Sequence, residues 1–273
     1  MYLCVGNEME EKIYTKESLI SEFKEIYKKG WIRNTRGKNH GAVGNILEDL
    51  LGIKENNLPI SNTNEWELKA QRNNTNSLTT LFHFEPSPKA LKFVPKIFLP
   101  KYGWPHKEAG EKYSLTEMSF RQTINGVNAT DRGFKINVDR QNKKILISFD
   151  KNLVALKHSD WLTAVGKNAG LGELSPQPYW GFDDLLYKVG TKLLNCFYII
   201  AKTKKEENIE YFWYDKVYML KKFSFENFLN QIELGNVYID FDARTGHNHG
   251  TKFRIKQKTI LNLYSEKKTI NLE

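Results

Sequence analysis

The chain has 273 residues, 40% of them hydrophobic, enough to bury a sizeable core in one large domain or two small ones. Lysine and arginine outnumber aspartate and glutamate by 41 to 32, a formal charge of +9 that favours a polyanionic partner. The two cysteines, Cys4 and Cys196, have no Cys/His cluster around them, which argues against a disulfide scaffold and a zinc centre. With no signal-like N-terminus and no apolar run approaching about 18 residues, the expectation is a cytoplasmic protein that is neither exported nor membrane-embedded.

In chain order, TKESLISEFKEIYKKGW places Leu19, Ile20, Phe23, Ile26 and Tyr27 at helical spacing and stops at Gly30. GAVGNILEDLLGI repeats the pattern through Val43, Ile46, Leu47, Leu50 and Leu51 to Gly52, with Glu48 and Asp49 off the apolar stripe. From Glu65 the residues alternate, Trp66, Leu68 and Ala70 against Glu67, Lys69 and Gln71, and SLTTLFHFEP follows as a second strand. RGFKINVDRQNKKILISFD reads as a hairpin turning between Asp139 and Lys144.

The Gly, Pro and Ser-rich stretch VGKNAGLGELSPQP is the best loop or subdomain junction in the sequence, giving an expected N-terminal subdomain over 1–165 and a C-terminal subdomain over 175–273. Beyond it come a helix, a strand from about Cys196 to Ala201, a charged turn and another strand. SFENFLNQIELGN then gives a helix capped by Ser224 and ended by Gly235, and VYIDFDARTGHNHGTKFRI a strand, a turn and a strand. The fold class expected is α/β, a mixed sheet with flanking helices.

Glu67 and Lys69, two apart on a strand, point to one face. Metal-assisted phosphodiester hydrolysis needs carboxylates for Mg²⁺ and a cation beside the attacking water or the phosphate, and this pair can supply both. The motif is cheap: Glu10-Lys12, Glu22-Lys24 and Glu266-Lys268 repeat it. A solvated strand face is the competing reading. Context favours the site, since the preceding helix offers Glu48 and a turn with Pro59 leads into the strand.

Asp242, Arg244, His247, His249 and Arg254 fall within one strand–turn–strand. Arginine forks suit guanine O6/N7 and carboxylates accept from cytosine N4, so these residues could read G·C pairs in a major groove. Equally, Asp242 could be a turn residue, Arg254 a surface cation and the His-x-His pair a metal-ligand pattern. Arg33, Arg36, Lys38 and His40 beside Gly41 and Gly44 suit phosphate contact or a solvated loop. Trp104 and His106 could stack at DNA or pack into a loop.

The ordered blocks TRGKNHGAVGNILEDLLGIKENNLP, ELKAQR, SLTTLF, FKINVD, YWGFDDL and DARTGHNHGTKFRI resemble the MvaI/BcnI family of type II restriction endonucleases, relatives of the nicking enzyme MutH. The resemblance runs from about Gly30 to Ile255. It implies a MutH-like fold with two subdomains around a DNA cleft, and Mg²⁺-dependent cleavage of double-stranded DNA at a short G·C-containing sequence. It further implies a monomer that works beside a cognate DNA methyltransferase without a stable complex.

Residue by residue, the resemblance makes Glu48 the supporting helix glutamate, Glu67 the metal-binding carboxylate and Lys69 the catalytic lysine. Asp242, Arg244, His247, His249 and Arg254 become base contacts, with Asp242, Arg244 and Arg254 the prime G·C readers. The family aspartate falls at Asn62, where this sequence departs. An Asn carbonyl can ligate Mg²⁺ but brings no charge, so binding should weaken. Asn62 could be a natural variant completed by Glu48 or Glu65, a deliberate substitution, or the mark of an inactive relative. A strand-nicking enzyme and a DNA-binding protein that does not cut are therefore the rival functions.

Overall fold

The computed structural model describes residues 14–273 except 38, 40, 54–64, 74 and the side chain of 191. The chain folds into two interleaved units. Unit 1 comprises Met1–Thr75, Thr191–Lys222 and Glu266–Glu273, and unit 2 comprises Asn76–Gly190 and Phe223–Ser265. The Gly/Pro-rich stretch at 165–178 thus lies inside unit 2. Such composition marks a turn within a unit as readily as a joint between units.

Unit 1 begins with α1 (Lys16–Lys28), whose N-cap Thr15 accepts from Ser18 N at 3.1 Å while Thr15 N donates to Ser18 Oγ at 2.9 Å. Leu19, Phe23 and Ile26 make its buried stripe. After β1 (Ile32–Arg33) comes α2 (Ala42–Leu51), which buries Val43, Ile46, Leu47 and Leu51 and ends where Gly52 takes φ +70°, the left-handed conformation that releases a helix C-terminus. β2 (Glu67–Arg72) carries the Glu-x-Lys.

Unit 2 follows with β3 (Leu78–His83), α3 (Leu99–Tyr102), β4 (Trp104–Pro105), β5 (Met118–Asn125), β6 (Arg132–Asp139), β7 (Lys144–Val154), α4 (Ser159–Asn168), β8 (Tyr179–Gly181) and most of α5 (Phe182–Lys192). The chain then returns to unit 1 through β9 (Asn195–Glu206) and β10 (Ile209–Phe223). It finishes with α6 (Phe225–Glu233), β11 (Val237–Arg244), β12 (His247–Asn248), β13 (Lys252–Lys256) and β14 (Tyr264–Ile270).

The sheet of unit 1 runs β1-β10-β9-β2, with β14 also on β10. β2 and β9 are parallel while β9, β10 and β1 are antiparallel, so the sheet is mixed, as expected. One face packs Trp66, Leu68, Phe197, Ile199 and Ala201 against the stripes of α1 and α2. Tyr214 fixes α2 by donating from its hydroxyl to Val43 O at 2.7 Å.

Unit 2 holds a six-stranded sheet, β3-β13-β11-β5-β4 with β12 on β11, and a three-stranded sheet, β6-β7-β8. Neighbouring strands in both run antiparallel. Phe98, Phe120, Phe134 and Phe241 meet at ring separations between 4.8 and 6.3 Å to form an aromatic core. Among the described residues no helix is long and apolar enough to cross a membrane.

Candidate functional site

Because Leu68 points into the unit 1 core, Glu67 and Lys69 occupy the opposite face of β2, in register with Cys196 and Tyr198 of β9. A solvated face does not form there: Glu67 is only 2% exposed. The other Glu-x-Lys pairs differ, since Glu266 and Lys268 are exposed on β14, Glu22 and Lys24 ride on α1, and Glu10-Lys12 lies outside the described residues. Burial separates pairs that spacing could not.

Burying a carboxylate costs several kcal/mol, on the order of the desolvation of one ion, unless charge and hydrogen bonds replace water. Lys69 Nζ donates to Glu67 Oε1, and Lys192 Nζ, from the last turn of α5, stands 3.9 Å from the same oxygen. Glu67 Oε2 is buried and has no hydrogen-bond partner among the described residues. A buried anionic oxygen with open lone pairs is the donor a hard cation takes.

Lys192 was not singled out by its sequence context. Burial pushes its ammonium below the ordinary lysine value, the Glu67 carboxylate pulls the other way, Lys69 adds to the fall and Glu48 again opposes it. Half-buried Glu48, on α2, is therefore within electrostatic reach of the cluster. The fold gathers Glu67, Lys69, Lys192 and Glu48; Asn62 lies outside the described residues. Among the described residues no three His, Cys, Asp or Glu side chains gather as a metal-holding group.

Of the upstream basic residues, Arg33 is exposed on β1, while Arg36 is bound to Asp49 of α2, its Nε donating to Oδ2 at 2.8 Å. The Arg36 pair holds the Asp49 carboxyl below its ordinary range. Lys38 and His40 lie outside the described residues.

In unit 2, β11 buries Val237, Ile239, Phe241 and Ala243 and turns Tyr238, Asp240, Asp242 and Arg244 to the other face. Register adds Ser119, Arg121 and Thr123 of β5 and Lys252 and Arg254 of β13 to that polar face. Arg244 Nη1 donates to buried Glu117 at 2.9 Å, with its guanidinium 4.6 Å from the Tyr113 ring centroid. Arg254 donates from Nη1 to Asp240 at 3.2 Å and from Nη2 to Leu78 O at 3.0 Å, while its Nε is buried without a partner among the described residues.

The turn of DARTGHNHGT is held from below. Buried Thr251 donates from N and Oγ1 to the two oxygens of Glu85 at 2.8 and 2.9 Å, and His249 N donates to Asp242 O at 3.0 Å. His247 and His249 stay exposed, their rings edge-on at 4.2 Å. Trp104, on β4, pairs with Ser119 of β5 and is covered by the Arg132 guanidinium at 3.9 Å, and His106 is 8% exposed, so both are packed residues.

A family model described as the MvaI/BcnI restriction endonuclease family matches residues 20–264. Among solved structures, a restriction endonuclease MvaI–cognate DNA substrate complex is 22% identical, covers 94% of this chain and 100% of its own, and superposes with a TM-score of 0.74. Restriction endonuclease MvaI in the absence of DNA is 21% identical, with coverages of 95% and 100% and a TM-score of 0.53. A comparison with curated proteins finds no match. At these identities the structures speak for the mixed α/β fold, and the family model speaks for the family. The chain belongs to the MvaI/BcnI restriction endonuclease family, and is a type II restriction endonuclease acting on DNA.

Proposed function

We propose that the protein cleaves both strands of duplex DNA at a short G·C-containing sequence with Mg²⁺, at a site built on Glu67 and Lys69. The observation that carries this reading is Glu67 Oε2, which has no hydrogen-bond partner among the described residues and belongs to a glutamate buried between two lysines. Restriction endonucleases work with a divalent metal; here Glu67 Oε2 and the Asn62 carbonyl would hold it, with Glu48 in support. Such a cation supplies Lewis-acid polarisation of the phosphodiester and lowers the pKa of the attacking water. Lys69 keeps Glu67 oriented and places a positive charge beside the nucleophile and the phosphate. Lys192 adds a second positive charge against the charge that builds on the phosphoryl oxygens. The 3′-oxygen leaves.

On this reading Asp242, Arg244, His247, His249 and Arg254 contact bases, with Glu117, Asp240 and Glu85 holding the readers and their turn in place. Arg33, Arg36 and Lys38 contact phosphates, giving affinity without sequence information. The protein acts as a monomer in a prokaryotic cytoplasm, beside a cognate DNA methyltransferase that forms no stable complex with it.

Asn62 supports two rival outcomes, nicking alone or binding without cutting. Incubating unmethylated plasmid and foreign genomic DNA with Mg²⁺, in parallel with an Asn62→Asp version, separates them. Linear products are expected from both proteins, with Asn62→Asp about tenfold or more faster at limiting Mg²⁺ because it restores a charged ligand. Nicked circles alone point to the strand-specific alternative. No cutting by either protein sinks the reading.

A further inference from the structure

Resting on the proposed base-reading role of the polar face of β11, we propose that Arg121 of β5 is a further specificity-determining residue, which reads one G·C pair jointly with Asp242. The two residues are directly opposed in the β5/β11 register, so their side chains leave the sheet on the same face as neighbours. Arg121 Nε lies 2.8 Å from Asp242 Oδ1, and Arg121 has no partner other than Asp242 among the described residues.

The two side chains are unequally placed. Arg121 is 59% exposed and Asp242 22%, so the carboxylate sits lower and steadies a guanidinium that reaches outward. Held at Nε, an arginine still presents its terminal nitrogens as a fork, the geometry that matches guanine O6 and N7. Asp242 Oδ2 is 4.0 Å from Lys252 Nζ, an ion-pair distance that leaves its lone pairs able to accept from cytosine N4. Guanine O6/N7 and cytosine N4 are the major-groove edges of a single base pair. An arginine and an aspartate side by side can therefore read both halves of it.

The full-length protein, with Ca²⁺ in place of Mg²⁺, is used to select from a randomised duplex pool, and bound sequences are counted for the unaltered protein and for Arg121→Ala, Arg121→Lys and Asp242→Asn. Arg121→Ala and Asp242→Asn are expected to lose about 10- to 100-fold of discrimination at the same G·C pair, while preferences at the other positions persist. Arg121→Lys should lose it too, since a lysine carries the charge without the fork.

Arg121→Ala with unaltered preferences at every position overturns the proposal. So does uniformly weaker binding with a salt slope lower by about 1, which marks a phosphate contact, and so does relaxation at different base pairs in the two variants. If the unaltered protein selects no sequence at all, the base-reading face itself fails. That outcome needs no variant, so the two failures are distinguishable. Thermal unfolding of each variant confirms that it is folded.

Discussion

Glu67 shows how a residue too common to be informative by type becomes informative by placement. Its burial between Lys69 and Lys192 removes water from the carboxylate and leaves one oxygen without a hydrogen-bond partner among the described residues. Glu67→Gln keeps the shape and removes the charge, and is expected to abolish cleavage while leaving DNA binding in the absence of metal near the original level, read by gel shift. Lys192→Met is expected to lower kcat by about 10²-fold with little change in the sequence selected, the scale of removing one preorganised donor. Unchanged turnover would reduce Lys192 to a neutralising partner of Glu67.

A second residue pair sets an acid limit. Arg72 grips Glu210 through Nε at 2.8 Å and Nη2 at 2.7 Å, and Asn34 donates to the same carboxylate at 3.0 Å. The Arg72 hydrogen bond, against the cost of burial, holds Glu210 below its ordinary 4.5. A depressed folded value means the carboxylate's contribution to stability is complete above about pH 5 and fades as pH falls through the folded value. Glu210→Gln should therefore flatten the pH dependence of the unfolding temperature below about pH 5 and lower that temperature near neutral pH.

Elements with their own punctuation were legible in the sequence. α1, α2 and α6 announce themselves by apolar stripes with Gly30, Ser224, Gly52 or Gly235 at their ends, and the β6/β7 hairpin by alternation around a polar turn. α4 was not legible because only Val165 is buried in it, so there is no stripe to see. β5 was missed for the opposite reason: Gln122 sits buried among Phe120 and Ile124 and breaks the apolar period, and with β5 went Arg121. Of the candidate site, Glu67, Lys69 and Glu48 were readable from local context, whereas Lys192 joins them only through a return of the chain from residue 191.

The β6/β7 hairpin also supplies a test at this scale. The register slips between Arg132 and Phe134, and Gly133, at φ +76°, has Asp150 O 2.3 Å from where a Cβ would stand. A side chain there must push the partner strand away and also occupy a backbone region costly for L residues. Gly133→Ala should destabilise the protein by about 2 kcal/mol or more, measured by urea unfolding.

For the whole molecule, a charge of +9 and a DNA substrate make affinity an ionic-strength property. Binding to a duplex lacking the preferred sequence should fall steeply and log-linearly with salt, and sequence preference should survive to higher salt than total affinity does. The interleaving of the chain has a separate mechanical signature. Ile270 and Leu272 are buried in the same core as α1 and α2. Removing Glu266–Glu273 takes both out, together with most of β14, and should cost unit 1 about 3–6 kcal/mol, seen as an earlier, separate unfolding step.

The same interleaving orders events during synthesis. The segments of unit 2 are complete once Ser265 has been made, whereas unit 1, which carries Glu67, Lys69 and Lys192, still awaits its final strand and Leu272. A ribosome that terminates before β14 therefore releases a chain whose unit 1 sheet lacks this strand, which pairs with β10. On the proposed reading, the unit that carries the cutting site is the last to close, and every copy that closes it already carries the complete polar face of β11.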